Sequence, residues 1–167
     1  MNNQDDHGNR KPVRNKIQSS KEREKLSAGN SIRYVTYADK SFWFSLDRHL
    51  SDEEYTHKVQ NLMGYVLTVR TQPFGILRWS LFWDSIPFCN LLYIKEGEQR
   101  KGYGTALMNY WEKDMKARGY DLVLTSTQSN EEAQYFYRTL GYQDCGELTL
   151  PFRGYDQPKE LILAKEI

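Results

Sequence analysis

The sequence NLLYI (90–94) is followed almost at once by EGEQRKGYGTALM (96–108), and this junction is the most informative part of the chain. The apolar run has the composition of a strand, Gly102 and Gly104 stand two residues apart, and helix-forming residues come next. Such a turn leaves backbone N–H groups free at the positive end of a helix, where phosphate or pyrophosphate can bind. Glycine suits it because a side chain would keep the backbone away from the anion. The glycines alone leave an ordinary tight turn and an anion site equally open.

Two other phosphate-binding motifs do not fit this segment. No Gly-Lys-Ser/Thr follows the glycines, so the segment is not a Walker loop. The position of the third glycine in the dinucleotide-binding fingerprint is occupied by Leu107.

A second motif, SNEEAQYFYRTLGY (129–142), lies about one helix downstream. The two segments together resemble the GNAT superfamily of N-acetyltransferases, which use acetyl-CoA. The phosphate loop of that family is Gln/Arg-x-x-Gly-x-Gly/Ala, and it is matched by Gln99, Gly102 and Gly104. The second signature is Asn-x-x-Ala-x-x-Phe-Tyr followed by Gly-Phe/Tyr, and its matching residues are Asn130, Ala133, Phe136, Tyr137, Gly141 and Tyr142. The resemblance covers residues 31–167.

Composition separates a polar tail from a single domain. Residues 1–30 contain no Phe, Trp or Tyr, and we expect them to be disordered or weakly ordered; residues 31–167 suit one domain with a real core. The net charge of +1 indicates neither nucleic acid nor a membrane surface, and no apolar run is long enough to span a membrane. Cys89 and Cys145 have no metal-ligand spacing, so we expect buried thiols, a cytoplasmic protein and no metal; a disulfide between the two is the alternative that the sequence leaves open.

Hydrophobic patterning predicts an alternation of strands and helices. Ser51 with Glu54, and Ser129 with Glu132, are predicted to form capping boxes that open helices. Gly64 is predicted to stop the helix before it. Predicted strands span 31–37, 65–71, 75–84, 87–94, 121–127, 142–150 and 160–165, with a turn over 72–74; predicted helices span 38–50, 51–63, 103–118 and 129–140.

The resemblance implies a fold class and a cofactor site. The fold would be α/β, with a central, mostly antiparallel sheet of about seven strands, a splayed parallel pair within it, and helices on both faces. The pantetheine arm of CoA would enter between strands 90–95 and 121–127. The residues that would bind acetyl-CoA are Leu92, Tyr93, Ile94, Gln99, Arg100, Lys101, Gly102, Tyr103, Gly104, Thr105, Asn130, Ala133 and Tyr137. Arg100 and Lys101 are equally well explained as solvated charges, and Asn130 as a helix N-cap.

The resemblance also implies catalytic roles. Tyr137 matches the tyrosine whose phenol donates a proton to the departing thiolate, and an N–H near Leu92 would face the thioester carbonyl. The strand 87–94 contains no Asp or Glu, where some members place a glutamate. Asp84 is the candidate general base and Glu96 the second choice, although both are also ordinary turn carboxylates.

The function implied is transfer of an acetyl group from acetyl-CoA to a primary amine by direct attack in a ternary complex. Trp79, Phe82 and Trp83 are candidate walls of the acceptor site, and core packing is the alternative for them. The acceptor would be a small molecule or a peptide; a homodimer is compatible with the family, whereas a membrane or nucleic-acid partner is not expected. Two alternatives stay open: a catalytically silent CoA-binding regulatory domain, and an RNA- or ribosome-associated acetyltransferase guided by the basic tail.

Overall fold

The computed structural model describes residues 29–167, and within them the strands form one seven-stranded sheet. The strand order is β1-β2-β3-β4-β5-β7-β6; β4 and β5 are parallel, and every other neighbouring pair is antiparallel. The predicted mixed sheet with one parallel pair is therefore confirmed. The strands are β1 (Asn30–Tyr34), β2 (Gly64–Val69), β3 (Gln72–Phe82), β4 (Ile86–Ile94), β5 (Leu122–Gln128), β6 (Gln143–Leu148) and β7 (Glu160–Glu166). Most of the predicted polar tail, residues 1–28, lies outside the described residues.

Helices cover both faces of this sheet, as the resemblance implies. They are α1 (Lys40–Leu46), α2 (Asp52–Gln60), α3 (Tyr103–Ala117) and α4 (Ala133–Thr139). Alternation along β2 separates two cores: Tyr65 and Leu67 pack with the buried side of α3, whereas Val66 packs with Trp43 of α1 and Tyr55 of α2. The first core also contains Tyr137 of α4.

The turn between β2 and β3 lies two residues earlier than predicted. Arg70 and Thr71 both have positive φ, 48° and 73°, and form the tight connection. Pro73 lies inside β3 rather than in the turn; Thr68 pairs with Pro73 and Leu67 with Gly75, so the register shifts at this point. The residue left out of the ladder is Phe74, and Pro73 lies next to this bulge near the start of the strand, where proline is tolerated.

Of the two predictions for the ends of α2, the cap at its start is confirmed and the stop at Gly64 is wrong. Ser51 caps α2, with its hydroxyl accepting from the Glu54 N–H at 3.2 Å. Gly64, however, is the first residue of β2 and not a helix stop, since α2 ends at Gln60. A Cβ on Gly64 would lie 2.9 Å from both the Trp43 ring and the Val35 side chain, so close packing is the reason for glycine there.

The second predicted capping box does not form. α4 begins at Ala133, four residues after Ser129, and its N-cap residue Glu132 makes no side-chain capping bond. The Glu131 carboxylate instead accepts a hydrogen bond from the Thr127 hydroxyl at 2.7 Å. This contact ties the turn before α4 to the end of β5.

Candidate active site

The parallel strands β4 and β5 separate after only two paired positions, and we call the opening between them the wedge. The pairs are Phe88 with Leu124 and Cys89 with Thr125. The Thr125 hydroxyl donates to the Cys89 carbonyl at 3.2 Å, at the closed end of the wedge. Beyond this point Leu91–Ile94 pairs only with β3, and Ser126–Gln128 pairs only with β7. Each strand therefore presents one unpaired backbone edge to the other.

A bulge in β4 accounts for the separation. Trp79 of β3 pairs with Cys89, and Arg78 pairs with Leu91, so Asn90 has no partner in the register. A bulged residue bends its strand and increases the local twist. The bend begins one residue after the last β4–β5 pair, and it turns the rest of β4 away from β5.

The loop that follows β4 leaves a run of backbone donors unused. The Glu98 N–H still donates to the Lys95 carbonyl at 3.0 Å, and the helical ladder starts with Ala106 N–H to Gly102 carbonyl at 3.0 Å. Within the described residues, the N–H groups from Gln99 to Thr105 donate to no backbone carbonyl. These donors lie at the N-terminus of α3, the positive end of the helix dipole.

Positive φ angles shape this loop, 60° at Arg100 and 83° at Gly102. A Cβ on Gly102 would meet no atom within 4 Å, so the backbone there is open to a ligand. The Gln99 side chain donates to the Ile94 carbonyl at 3.1 Å and ties the loop to the end of β4. Lys101 pairs with Glu98 at 2.9 Å while remaining half exposed.

Three further predicted residues occupy the first turn of α3. Gly104 lies under the ring of Phe136 in α4, with only 3.4 Å between the ring and the position of a Cβ. The Tyr103 ring packs 6.2 Å from that of Phe74, and the Tyr103 N–H donates to no backbone carbonyl of the described residues. Thr105 is partly buried next to them.

Tyr137 lies near the closed end of the wedge. Its side chain is 6% exposed, and its ring packs edge-on against Tyr142 at 5.7 Å. Burial raises the pKa of the Tyr137 phenol above its usual value, and the Cys89 thiol nearby adds to that rise while the Thr125 hydroxyl opposes it. The phenol thus stays protonated at neutral pH. Glu112 accepts from the Tyr142 hydroxyl at 3.0 Å and so anchors the ring that supports Tyr137.

The remaining cofactor candidates lie around the same opening. Leu92, Tyr93 and Ile94 belong to the part of β4 that is unpaired with β5. Asn130 is exposed in the turn after β5 and does not serve as the cap of α4. Ala133, the first residue of α4, packs partly buried against the core.

Both predicted bases are exposed, unlike the buried Tyr137. Asp84 lies exposed at the tip of the β3–β4 hairpin, where Trp83 and Asp84 have φ of 50° and 56°. It is five residues from Cys89, about 16 Å of extended strand, and at the end of β4 opposite the loop that leads into α3. Glu96 is exposed in the loop beyond Ile94.

The three aromatic residues predicted to line the acceptor site lie in different places. Trp79 is 2% exposed in the core, with the Arg118 guanidinium 5.2 Å from its ring, so it cannot line an open acceptor site. Phe82 and Trp83 are exposed at the hairpin tip beside Asp84. Cys89 is buried as expected, whereas Cys145 is exposed, because β6 is an edge strand with little cover.

Sequence reasoning missed two features near the wedge. One is the bulge at Asn90, for which the sequence offers no clear sign. The other is a buried ion pair between Arg78 of β3 and Asp47 at the end of α1, with 2.7 Å between Nε and Oδ2. Its signal was available, because Arg78 interrupts an otherwise apolar run.

Residues 29–167 contain neither a cluster of metal-ligand residues nor a membrane-spanning helix. No three His, Cys, Asp or Glu side chains in that range are grouped as metal ligands. No helix in the same range combines the length and hydropathy needed to cross a membrane.

The comparisons with known proteins agree with this geometry. The model of the acetyltransferase (GNAT) family matches residues 30–142. Ard1 from Thermoplasma volcanium has a TM-score of 0.73 at 17% identity, covering 83% of this chain and 98% of that one. Arabidopsis thaliana Naa50 in complex with the bisubstrate analogue CoA-Ac-MVNAL has a TM-score of 0.66 at 13% identity, with coverage of 83% and 99%.

A GNAT family acetyltransferase from Elizabethkingia anophelis with acetyl-CoA bound has a TM-score of 0.66 at 15% identity, with coverage of 84% and 99%. The comparison with curated proteins finds no match.

Proposed function

Because this chain belongs to the GNAT acetyltransferase family, we propose that it transfers an acetyl group from acetyl-CoA to a primary amine, by direct attack within a ternary complex. The observation that carries the proposal is the wedge, which opens directly toward a loop of unused N–H donors. An unpaired strand edge and an anion-binding helix N-terminus meet at one place. Together they match two adjoining parts of CoA, the amide-containing pantetheine arm and the diphosphate to which it is attached.

The residues present fit that ligand. The N–H groups from Gln99 to Thr105 donate to the diphosphate, and Gly102 leaves them accessible. The backbone of Leu92, Tyr93 and Ile94 offers hydrogen bonds to the pantetheine amides, because this edge of β4 has no strand beside it. Asn130 lies exposed across the opening and can add its side-chain amide.

Acetyl-CoA supplies an activated carbonyl carbon, to which the amine nitrogen bonds as the carbon–sulfur bond breaks. Tyr137 holds its proton at neutral pH and gives it to the departing sulfur. A backbone N–H near Leu92 donates toward the carbonyl oxygen, where negative charge grows. We assign removal of the amine proton to water at the mouth of the wedge, since Asp84 lies far along β4.

The acceptor class is a primary amine on a small molecule or a peptide. The Naa50 structure contains a peptide-based bisubstrate analogue, and the Elizabethkingia anophelis structure contains acetyl-CoA. Both support a CoA thioester as donor, and the former supports a peptide amine among the acceptors to be tried first.

Two measurements on the full chain test the proposal. Thermal unfolding with and without acetyl-CoA should show stabilisation, because a ligand bound only by the folded state raises Tm. Release of free thiol should then be followed over a panel of amines. No stabilisation at ligand concentrations far above cellular levels would refute the proposal. Stabilisation without turnover of any amine would favour the silent CoA-binding domain.

The tail-guided alternative has its own test. A chain lacking residues 1–29 should be compared with the full chain on each amine that is acetylated. Undiminished turnover would remove the RNA- or ribosome-guided reading and leave the acetyltransferase proposal intact.

A further inference from the structure

Arg78 emerges from the sheet close to the wedge and on the face that carries α1 and α2. It pairs with Leu91 across β3 and β4, so the two side chains share a face of the sheet. Leu91 packs against the α1–α2 core and directly follows the bulged Asn90. The Arg78 side chain therefore lies opposite the first residue of β4 after the bulge.

The guanidinium of Arg78 is mostly buried and only partly used. Its Nε donates to Asp47 Oδ2 at 2.7 Å, and Asp47 is fully buried. The other Asp47 oxygen accepts from the His49 N–H at 3.3 Å, which fixes the α1–α2 connection beside it. Among the described residues, the terminal nitrogens of Arg78 have no hydrogen-bond acceptor, although 18% of its side chain is exposed. Those nitrogens can present a fork of donors to a planar anion.

A second cation lies beside this pair. Lys58 of α2 is 5% exposed, and its nearest carboxylate oxygen, on Glu54, is 4.0 Å away on a side chain that is 57% exposed. Burial lowers the pKa of Lys58, and the positive charge of Arg78 lowers it further. Burying most of a lysine side chain with no carboxylate oxygen closer than 4.0 Å to its ammonium is costly.

The buried charges of this cluster do not balance. Arg78 and Lys58 carry two positive charges, and among residues 29–167 the fully buried carboxylate paired with them is that of Asp47. One positive charge of the cluster therefore has no buried negative charge to balance it. The carboxylate of Glu54 neutralises this charge only in part, because Glu54 is exposed. That surplus matches a monoanion, such as a carboxylate, better than a dianionic phosphate.

We propose that Arg78 and Lys58 recognise a carboxylate on the acceptor, so that the enzyme selects primary amines that carry one. The inference rests on the proposed function. The amine would reach the wedge at Asn90 and Leu91, while its carboxylate takes the free nitrogens of Arg78 and the ammonium of Lys58. The carboxylate could belong to a free amino acid or to an acidic residue near a peptide N-terminus.

A panel of matched acceptors tests the selection and separates these sources. The first arm compares free amino acids with their α-amides. The second compares peptides bearing Asp or Glu at the first or second position with the same peptides bearing Asn or Gln. In at least one arm, the carboxylate acceptors should exceed their amides by about tenfold or more in kcat/KM, as expected for a hydrogen bond to a charged group.

Variants test whether the cluster of Arg78, Asp47 and Lys58 causes the preference for carboxylate acceptors. Lys58→Met keeps the apolar stem, and Asp47→Asn/Arg78→Gln removes the ion pair without leaving a lone buried charge. Either should bring the carboxylate-to-amide ratio toward one, while acetyl-CoA still raises Tm and so shows an intact fold. Lys40→Met is the control, because Lys40 is half exposed and pairs with Asp52 outside the cluster; it should keep the wild-type ratio.

The outcomes are distinguishable. Amides acetylated as well as carboxylates by the wild-type chain, or a ratio unchanged in folded Lys58→Met and double variants, would overturn the inference and leave the proposed function standing. No acetylation in either arm or across the wider amine panel would overturn the proposed function, and the inference with it.

Discussion

Replacing Gly102 with valine should abolish the stabilisation of the protein by acetyl-CoA, whereas the same change at Gly119 should not. The two glycines flank one helix, Gly102 at the N-terminus of α3 and Gly119 just beyond its C-terminus. Both have positive φ, 83° and 90°, and a Cβ on either would meet no atom within 4 Å. The two variants thus carry similar backbone strain, but only one of them covers the unused N–H groups.

The size of the effect can be estimated from these features. A β-branched residue at positive φ costs about 1–2 kcal/mol, which lowers Tm by about 3–6 °C in a domain of this size. Acetyl-CoA at about 100 times its Kd adds roughly 2.7 kcal/mol. Losing two charge-assisted hydrogen bonds of about 1.4 kcal/mol each weakens binding about 100-fold. The same concentration then adds only about 0.4 kcal/mol.

The assay is thermal unfolding of the wild type and both variants, each with and without acetyl-CoA at that concentration. Both variants should lose similar Tm without ligand, and only Gly119→Val should recover a ligand-induced rise like that of the wild type. Equal ligand-induced rises in the two variants would refute the placement of the diphosphate on this loop.

Three further outcomes follow from the same structure. Tyr137→Phe should lower kcat about 100-fold with little change in the KM for acetyl-CoA; unchanged kcat in the thiol-release assay would remove its role as acid. Gly64→Ala should destabilise the fold by about 1–3 kcal/mol through its tight packing, whereas Gly146→Ala, with no atom within 4 Å, should not; equal denaturation midpoints would contradict this. Burial raises the folded-state pKa of Tyr65 and Tyr142. The free energy of unfolding should therefore be constant below the unfolded-state pKa of about 10 and should fall as the pH rises above it. A free energy of unfolding, measured with denaturant, that does not change from pH 8 to 11 would contradict this.

The sheet and the strand, glycine turn and helix around Gly102 could be predicted because their determinants are local. Apolar alternation and glycines at turns are read along a few residues, and β4, Gly102 and α3 follow one another in the structure as they do in the prediction. The predicted stop at Gly64 was wrong for a non-local reason, because Trp43 and Val35 demand a residue without a side chain there. A glycine can end a helix or can leave room for close packing, and the sequence alone does not show which of the two applies.

Contacts between distant segments could not be predicted. Arg78 interrupts an apolar run and so indicates that it needs a partner, but Asp47 is 31 residues away and the sequence does not identify it as that partner. Asp84 ends an apolar run, and the length of β4 decides where that end lies. The residue that opens the wedge, Asn90, is an ordinary polar residue whose effect comes from register.

The short join between β4 and β5 divides the sheet into a half of four strands and a half of three, linked in the ladder by two residue pairs. A cofactor arm that bonded to both exposed edges would act as a temporary eighth strand and stiffen the seam. Hydrogen exchange at Asn90–Ile94 and Ser126–Gln128 would then slow together upon occupancy. Release of CoA would require these bonds to the two strands to break again. The rate at which the junction between β4 and β5 opens could then set the rate of turnover.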